Sequence, residues 1–351
     1  MLDVSTMTGR QRFLATAHGQ PADATPVWFM RQAGRCLPEY RALRAKHPFL
    51  EVARTPELAV EATLMPVDRL GVDGAVLFAD IMLPLDGMDV DFAIKPGVGP
   101  VIDEPIRTMA DIERIRVVGP EEGTPYVLDA VRQLSSALGD RAATLGFAGA
   151  PFTLACYLID GRPTKEYPRT KAMMYGQPDL WHALMTKLTE TTARYLEGQV
   201  AAGADVVQLF DSWLGLVDAA SYRSFVAPYT AAIFDRLRDK APTIHFSTGT
   251  NHLLTEIAAT RPTMVSIDWR VPLDRAWATI GPDLGIQGNL DPSLLLASWE
   301  TVAPRATAIL DLAAGKPGHV FNLGHGLLPE TDPDQLSRLV ELVHGYRASV
   351  D

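Results

Sequence analysis

The segment 179–210, DLWHALMTKLTETTARYLEGQVAAGADVVQLF, decides the fold of this chain because it joins a long helical pattern directly to a buried strand. Residues 179–201 predict one long helix, and Gly203 behind it suits the left-handed conformation that ends helices. Residues 205–210 form the nearly continuous apolar run that is typical of a strand buried on both faces. A helix that leads at once into such a strand predicts a parallel sheet covered by helices.

The same alternation of strand and helix recurs in both directions along the chain. The candidate strands are residues 26–30, 75–78, 144–148, 205–210, 243–247, 264–267, 284–287 and 319–322. Eight such units favour a closed (β/α)8 TIM-type barrel over an open doubly wound sheet. Residues 84–125 are punctuated by Pro and Gly and predict an insertion after the second strand. Because barrels run from roughly 200 to over 400 residues, we expect residues 1–351 to form a single domain.

Composition and charge exclude several classes of protein. Apolar residues make up 47% of the chain and the formal net charge is −10, with no stretch rich in Lys and Arg. Such a chain predicts neither a nucleic-acid nor a membrane-surface partner. The two cysteines, Cys36 and Cys156, argue against a disulfide scaffold and a Cys-rich zinc site. With no signal-peptide pattern and no apolar run near 18 residues, we expect a cytoplasmic location.

A barrel predicts that functional side chains follow the strands, at the carboxyl end of the sheet. Polar or aromatic side chains do follow five of the candidate strands, and we expect them to converge on one mouth. They are Arg31 and Arg35, then Asp80, then Phe152, Thr153 and Tyr157, then Asp211 and Ser212, and finally His325.

Arg31 and Arg35 stand four residues apart in MRQAGR, so that a helix here would place both guanidinium groups on one face. Arginine offers a rigid fork of donors that suits carboxylates. The alternative is a solvated surface turn with unrelated arginines. Gly34 between them permits a close approach of backbone.

Each of the remaining candidates has a structural alternative. Asp80, between two apolar stretches, is either a helix cap or a buried carboxylate that stabilises a developing cation. Tyr157 is either a site residue or a core tyrosine, and Ser212 either a site residue or a cap. His325, flanked by glycines, either meets a ligand or bonds a loop carbonyl.

Motifs for metals and cofactors are missing from the sequence. It contains no HExxH, no phosphate-binding P-loop and no GxGxxG, and its other histidines lack metal-ligand spacing. Cys36 and Cys156 suit small buried apolar residues better than reactive thiols. The sequence therefore gives no positive signal for a bound metal or cofactor.

Six segments resemble those of the uroporphyrinogen decarboxylase family, in the family's order. The longest are PVWFMRQAGRCLPEY (26–40) and GFAGAPFTLACYLIDG (146–161). The shorter ones are FADI (78–81), LFDSW (209–213), QGNLDP (287–292) and NLGHGLLP (322–329). The resemblance runs from about residue 10 to about residue 344. Cys36 departs from it, standing where the family often has tyrosine, and residues 245–250 form a variable region.

The resemblance implies a (β/α)8 barrel, usually a homodimer, that works without metal or cofactor. It implies removal of the carboxyl groups from the four acetate arms of uroporphyrinogen III. The products are coproporphyrinogen III and CO2, in porphyrin and haem biosynthesis. The implied catalytic residues are Asp80, Arg35, Tyr157 and His325. The implied substrate-binding residues are Arg31, Gln32, Ala33, Gly34, Arg35, Asp80, Tyr157, Phe210, Ser212 and His325.

Two other functions are compatible with such a barrel. A zinc-dependent methyltransferase of the corrinoid or methionine-forming type needs His and Cys ligands on the later strands. Both cysteines here precede Gly161, and the eighth candidate strand offers Asn322 and His325 but no cysteine. A non-catalytic tetrapyrrole carrier would keep the arginines but would have no need for Asp80.

Overall fold

The computed structural model describes residues 6–95 and 97–347, which form an α/β fold. Its strands are β1 (Gly74–Val76), β2 (Ala93–Lys95), β3 (Gly99–Val101), β4 (Ala143–Gly149), β5 (Val206–Asp211), β6 (Thr243–Ser247), β7 (Met264–Ser266), β8 (Gly285–Gln287) and β9 (His319–Val320). Seven of them form one parallel sheet in the order β1-β4-β5-β6-β7-β8-β9, and β2 pairs with β3 as an antiparallel hairpin. Each strand of the large sheet therefore lies beside its neighbours in sequence, as strand–helix–strand units require.

Helices separate the strands of the large sheet. They are α1 (Gly9–Ala17), α2 (Pro38–Arg44), α3 (Phe49–Arg54), α4 (Pro56–Leu70), α5 (Met109–Arg114), α6 (Pro120–Gly123), α7 (Pro125–Leu138), α8 (Pro151–Asp160), α9 (Pro168–Gly176), α10 (Pro178–Ala202), α11 (Ala219–Phe225), α12 (Ala227–Leu237), α13 (Leu254–Ala259), α14 (Leu273–Ile280), α15 (Trp299–Ala313) and α16 (Pro333–Gly345). Short 3-10 helices span Leu83–Met88, Leu214–Leu216, Asn251–Leu253 and Pro292–Leu296. Within the described residues, no helix combines the length and the apolar character needed to cross a membrane.

The helix–strand unit that opened the sequence argument is confirmed. Helix α10 ends at Gly203, whose φ of 115° is left-handed. Its backbone N–H donates to Gln199 O and Val200 O. The chain then enters β5 almost at once, and all six residues of this strand are buried. A glycine stop followed by an apolar run is thus enough to fix this boundary.

Seven of the eight candidate strands are strands of the large sheet, and the first candidate, residues 26–30, is wrong as a regular strand. This segment makes one isolated bridge, between Val27 and Phe321. Its backbone is nevertheless bonded on both sides, since Phe321 N donates to Pro26 O (2.8 Å) and Asp73 N donates to Val27 O (2.8 Å). The extended run stops early because the chain turns at Met30 and Arg31. The segment connects the two edges of the sheet, which must therefore curl toward each other.

A polar network fills the space enclosed by the curled sheet. Trp28 Nε1 donates to Gln287 Oε1 (2.9 Å), and Gln287 Nε2 donates to Gln208 Oε1 (3.0 Å) and Ser266 Oγ (2.9 Å). All four side chains are buried. Because the interior is packed, a ligand site has to lie at one end of the sheet and not inside it.

Residues 84–125 hold the hairpin β2–β3 and the short helices α5 and α6. The backbone around the hairpin is bonded to the carboxyl end of α8, where Ile102 N donates to Gly161 O (2.8 Å) and Ile106 N donates to Leu158 O (2.9 Å). This segment therefore covers the helix that carries Tyr157.

Candidate active site

The two arginines of MRQAGR lie on a turn, so the helix considered for this segment is wrong. Arg31 has a φ of 62°, and Gln32 N donates to Phe29 O (2.9 Å). A side chain built on Gly34 would overlap the carbonyl oxygen of Arg31, which explains the glycine. Both arginine side chains are exposed. Neither forms an ion pair with a carboxylate of the described chain, so both are free to receive an anion.

Gln32 supports this turn from beneath. Its side chain is fully buried, accepts from Phe29 N (2.9 Å) and donates to Gly74 O (2.8 Å). The amide thus fastens the turn to the start of β1. Its polar atoms are used inside the protein, whereas Ala33 beside it is partly exposed.

The loop 322–329 packs directly on the arginine turn. Leu327 N donates to Met30 O (2.9 Å), and Asn322 Oδ1 accepts from Met30 N (3.1 Å). A side chain built on Gly326 would overlap Cδ of Arg31 and lie 2.8 Å from its Cγ. Two segments from opposite ends of the chain are therefore brought together at one place.

His325 of this loop is held as a neutral hydrogen-bond donor. Gly326 N donates to His325 Nδ1 (2.7 Å), which leaves the proton of the neutral ring on Nε2. Burial first, and then the charges of Arg31 and Arg270, lower the pKa of His325 to about 4, against the opposing charge of Asp268. Near neutral pH the ring can therefore donate from Nε2 but cannot act as a cationic acid.

Asp80 follows β1 and lies close to the arginine turn. Its Oδ1 accepts from Met82 N (2.9 Å), as expected of a turn or capping residue. Burial raises the pKa of Asp80, while the Met82 N–H and the charge of Arg31 oppose that shift. In the described chain Met82 is the only donor to this carboxylate, so Oδ2 is free for a ligand. Asp80 is therefore both a turn residue and a partly buried charge.

Tyr157 belongs to an aromatic cluster at the same end of the sheet. Its ring lies 6.2 Å from that of Trp213 and 6.1 Å from that of Tyr167. Burial first, together with the charge of Asp80, raises the pKa of Tyr157 to about 12. The phenol therefore stays protonated at neutral pH, and it lies near enough to Asp80 for that carboxylate to disfavour its ionisation.

Aromatic rings line the carboxyl ends of β4, β5 and β6. Phe210 lies 5.3 Å from Phe147 and 5.2 Å from Phe246, and Phe246 lies 6.2 Å from His325. Ser212, directly after β5, is partly exposed beside this row. The rings offer an apolar surface to a flat ligand whose charges lie at its rim.

Three side chains expected at the mouth are not there. Phe152, Thr153 and Asp211 are buried away from it. Phe152 packs on Trp181 (6.2 Å), and Thr153 Oγ1 donates to Asp211 Oδ1 (2.8 Å). For Asp211 the reason is the alternation of side chains along β5, which turns it to the helix side when Phe210 faces the mouth. Phe152 and Thr153 lie on the buried first turn of α8.

The loop after β7 supplies residues that the sequence argument missed. Asp268 is buried and accepts from Gly249 N (2.6 Å) and Arg270 Nη1 (2.6 Å). Arg270 also stacks over Trp269, 4.3 Å from the ring centroid. The same rule that selected residues after the other strands would have selected these, since they follow the candidate strand 264–267.

The described parts of the chain contain no cluster of three or more His, Cys, Asp or Glu side chains placed to hold a metal ion. What they do contain is an arginine turn, a carboxylate, neutral donors and aromatic rings at the carboxyl end of a curled parallel sheet. This arrangement has the features of a binding site for a flat, anionic molecule.

Comparison with known proteins gives the family. The family model for uroporphyrinogen decarboxylase (URO-D) matches residues 8–346. The uroporphyrinogen decarboxylase of Nocardioides sp. (strain ATCC BAA-499 / JS614) is 52% identical over 335 residues, covering 95% of this chain and 96% of that protein. The one from Streptomyces coelicolor is 50% identical over 340 residues, covering 97% and 95%. The chain belongs to the uroporphyrinogen decarboxylase family, a family of carboxy-lyases.

Solved structures show a similar fold. A methyltransferase from Methanosarcina mazei aligns with a TM-score of 0.80 at 20% identity, covering 96% of this chain and 98% of that one. A B12-independent methionine synthase from Shewanella sp. W3-18-1 aligns with a TM-score of 0.55 at 10% identity, covering 83% and 86%. At these identities the likeness concerns the fold and not the reaction.

Proposed function

We propose that this chain decarboxylates uroporphyrinogen III on its four acetate arms, giving coproporphyrinogen III and CO2. The observation that carries the proposal is the position of Asp80, a partly buried carboxylate beside the unpaired Arg31. Identity of 52% to a uroporphyrinogen decarboxylase over nearly the whole chain supports the same reaction. A carrier would need the arginines alone, whereas a decarboxylase also needs a group that stabilises positive charge.

The pyrrole ring serves as the electron sink in this reaction. A proton added to the ring carbon beside an acetate arm gives an iminium-like cation. The electrons of the C–C bond to the carboxylate then flow into the ring as CO2 leaves. A proton taken up by the arm gives the methyl group, and the ring returns its proton. Per arm, one proton replaces one CO2.

Asp80 is assigned to stabilise the cationic ring. A carboxylate facing the pyrrole N–H groups favours the cation most strongly where little water is present. Arg31 and Arg35 are assigned to bind substrate carboxylates and fix the orientation of the ring. The ring proton comes from Arg35 or from water. Arginine is a poor acid, because a guanidinium gives up its proton only in strongly basic solution, so only proximity favours Arg35.

Tyr157, Ser212 and His325 are assigned to donate hydrogen bonds to the substrate, and Phe210 to flank the macrocycle. The protonated phenol of Tyr157 and the Nε2–H of His325 support these roles. Ala33 and Gly34 are assigned to the substrate-facing side of the turn. The buried amide of Gln32 is better suited to holding that turn than to touching substrate.

We further infer a single (β/α)8 TIM-type barrel over residues 1–351, with residues 84–125 inserted after its second unit. Support comes from the backbone bonds of residues 26–28 to both edges of the sheet. The bond between Trp28 and Gln287 across the interior supports closure as well. The extended segment then counts as the first of eight units.

A homodimer that works in the cytoplasm without cofactor completes the proposal. The family resemblance supports the dimer and the absence of a cofactor. The net charge of −10 and the lack of a basic tract support a protein that binds neither nucleic acid nor membrane.

The test is anaerobic incubation of the purified protein with uroporphyrinogen III, followed by separation of the products by carboxyl count. We expect hepta-, hexa-, penta- and tetracarboxylate species to appear in turn, with and without a strong chelator. Ligand recovered unchanged would favour the carrier. Activity abolished by the chelator would favour a metal-dependent enzyme.

A further inference from the structure

An additional arginine stands on the loop after β7, outside the six segments that carry the family resemblance. Three interactions fix its side chain and backbone. Arg270 Nη1 donates to Asp268 Oδ2 (2.6 Å), Arg270 N donates to Asp268 Oδ1 (2.9 Å), and the guanidinium stacks on Trp269. Arginine held at several points in this way has lost most of its rotamer freedom before any ligand arrives.

The anchor of this arginine is itself rigid. The Asp268 side chain is 1% exposed and also accepts from Gly249 N (2.6 Å). Asn289 Nδ2 donates to Asp268 O (2.9 Å) and to Val271 O (2.8 Å), which fixes the backbone on both sides of Arg270. The loop is thus built to hold one guanidinium in one place.

The loop lies against the segment that carries His325. A side chain built on Gly324 would lie 2.6 Å from Trp269 N and 2.9 Å from Asp268 Cα. On the other side of the histidine, Gly326 is in contact with Arg31. His325 therefore lies between two arginine-bearing segments, and the charges of both arginines act on its ring.

The guanidinium keeps donors for a ligand. The Arg270 side chain is 50% exposed, and Asp268 occupies only one of its two terminal nitrogens. Arginine has five N–H donors, and a carboxylate that binds to those left free forms strong, charge-assisted hydrogen bonds. Arg270 thus has the chemistry of Arg31 and Arg35 at a different point of the mouth.

We propose that Arg270 is a substrate-binding residue that receives a carboxylate of the tetrapyrrole on the side of His325 opposite Arg31. His325, whose neighbours Gly324 and Gly326 contact the two arginine-bearing segments, adds a neutral Nε2–H donor. Asp268 and Trp269 are positioning residues that hold the guanidinium in place. This inference rests on the proposed function, because it concerns the same polycarboxylate in the same mouth.

The experiment compares Arg270→Gln and Arg270→Lys with a matched control, Arg275→Gln, whose side chain is exposed on α14. Anaerobic kinetics give kcat and KM for uroporphyrinogen III. Fluorescence anisotropy of uroporphyrin III, the oxidised octacarboxylate, gives Kd directly. Thermal unfolding shows whether each variant is folded.

We expect Arg270→Gln to raise KM and Kd about tenfold, the loss of one charge-assisted hydrogen bond, with kcat within about threefold. Lysine keeps the charge but not the fork, so Arg270→Lys should fall between wild type and Arg270→Gln. Arg275→Gln should match wild type. In a double-mutant cycle, Asp268→Asn should weaken binding in wild type and add little to Arg270→Gln, since the anchor acts through the arginine.

A folded Arg270→Gln protein with unchanged KM and Kd would overturn the inference. So would a variant that loses kcat alone, because a carboxylate-binding residue has to affect ground-state binding. If wild type bound uroporphyrin III in an Arg270-dependent way but released no CO2, the proposed function would fail while the binding site stood.

Discussion

Arg31 lies directly against the backbone of Gly326, so that any side chain at position 326 would occupy the space of the arginine's Cδ and lie 3.0 Å from its Nε. Position 326 needs a glycine because Arg31 leaves no room for a side chain, and not because the backbone there is left-handed. We expect Gly326→Ala to displace the guanidinium of Arg31 and to raise KM for uroporphyrinogen III by about tenfold. Anaerobic kinetics of the variant give the value.

Gly176→Ala is the matched control for this change. In the described part of the chain, a Cβ on Gly176 has no atom within 4 Å. The two variants gain the same methyl group, so a KM that rises only in Gly326→Ala assigns the effect to Arg31. Equal KM values in both proteins would contradict the role given to that contact.

Asp80→Asn tests the charge that the mechanism needs. The asparagine oxygen can still accept from Met82 N, so the turn should be kept while the negative charge is lost. We expect kcat to fall by roughly 100-fold to 1,000-fold, the usual scale for removing an electrostatic contribution to a transition state. Single-turnover release of CO2 measures the step itself.

The exposed Asp91 provides a control on the same stretch of chain. Asp91→Asn removes the same charge from an exposed side chain for which the described chain shows no hydrogen bond or ion pair, and it should leave kcat unchanged. Wild-type rates from a folded Asp80→Asn protein would remove Asp80 from the mechanism.

His325 should act as a donor and not as an acid. Because burial lowers the pKa of His325 to about 4, the ring is neutral from pH 6 to pH 8. Glutamine places an N–H close to the position of Nε2. We expect His325→Gln to keep activity within about tenfold, the scale of one neutral hydrogen bond. The shape of its pH–rate profile should match that of wild type.

The profile is measured as kcat/KM between pH 5.5 and 8.5. An ascending or descending limb near pH 6.5 that disappears in His325→Gln would show that His325 titrates during catalysis, against the expectation. Nitrogen chemical shifts of the ring, followed over the same pH range, report its protonation independently.

The sequence was sufficient to predict those elements whose bounds depend on the local pattern of apolar and turn residues. Apolar runs ended by turn residues predicted seven strands of the sheet, and Gly203 predicted the end of α10. The segment 26–30 was mistaken for a full strand because its bonding partners come from opposite ends of the chain. Only the folded structure brings Asp73 and Phe321 to its two sides.

Side-chain direction at the ends of strands was the harder problem. Residues 210 and 211 both follow the same apolar run, but Phe210 faces the mouth and Asp211 faces the helices. Gln32 lies between the exposed Arg31 and the partly exposed Ala33 and is nevertheless buried. In an extended chain, neighbouring residues point to opposite faces of the sheet. The sequence contains no signal that says which of two neighbours faces the mouth.

Asp211 gives a prediction about stability that does not depend on catalysis. Its Oδ1 accepts from Thr153, and its Oδ2 lies 4.0 Å from His245 Nε2 in a fully buried setting. Burial raises the pKa of Asp211 to about 7, whereas an unfolded aspartate has a pKa of about 3.9. Protonated Asp211 therefore contributes fully to the free energy of unfolding below about pH 4, and this contribution is lost as the pH rises through 7.

Asp211→Asn stays neutral at every pH and can still accept from Thr153. The melting temperature of the variant relative to wild type should therefore rise by a few degrees between pH 5 and pH 8. Burial lowers the pKa of His245 to about 3, which favours the folded state as pH rises, but both proteins contain this histidine. The comparison between them isolates the carboxyl group.

Thermal unfolding of both proteins at half-unit steps of pH supplies the test. Asp239→Asn, at an exposed carboxylate, should follow wild type across the range. A melting-temperature difference for Asp211→Asn that is constant with pH would mean that Asp211 is ionised in the folded protein throughout. An ionised Asp211 would then have to form a buried ion pair with a protonated His245.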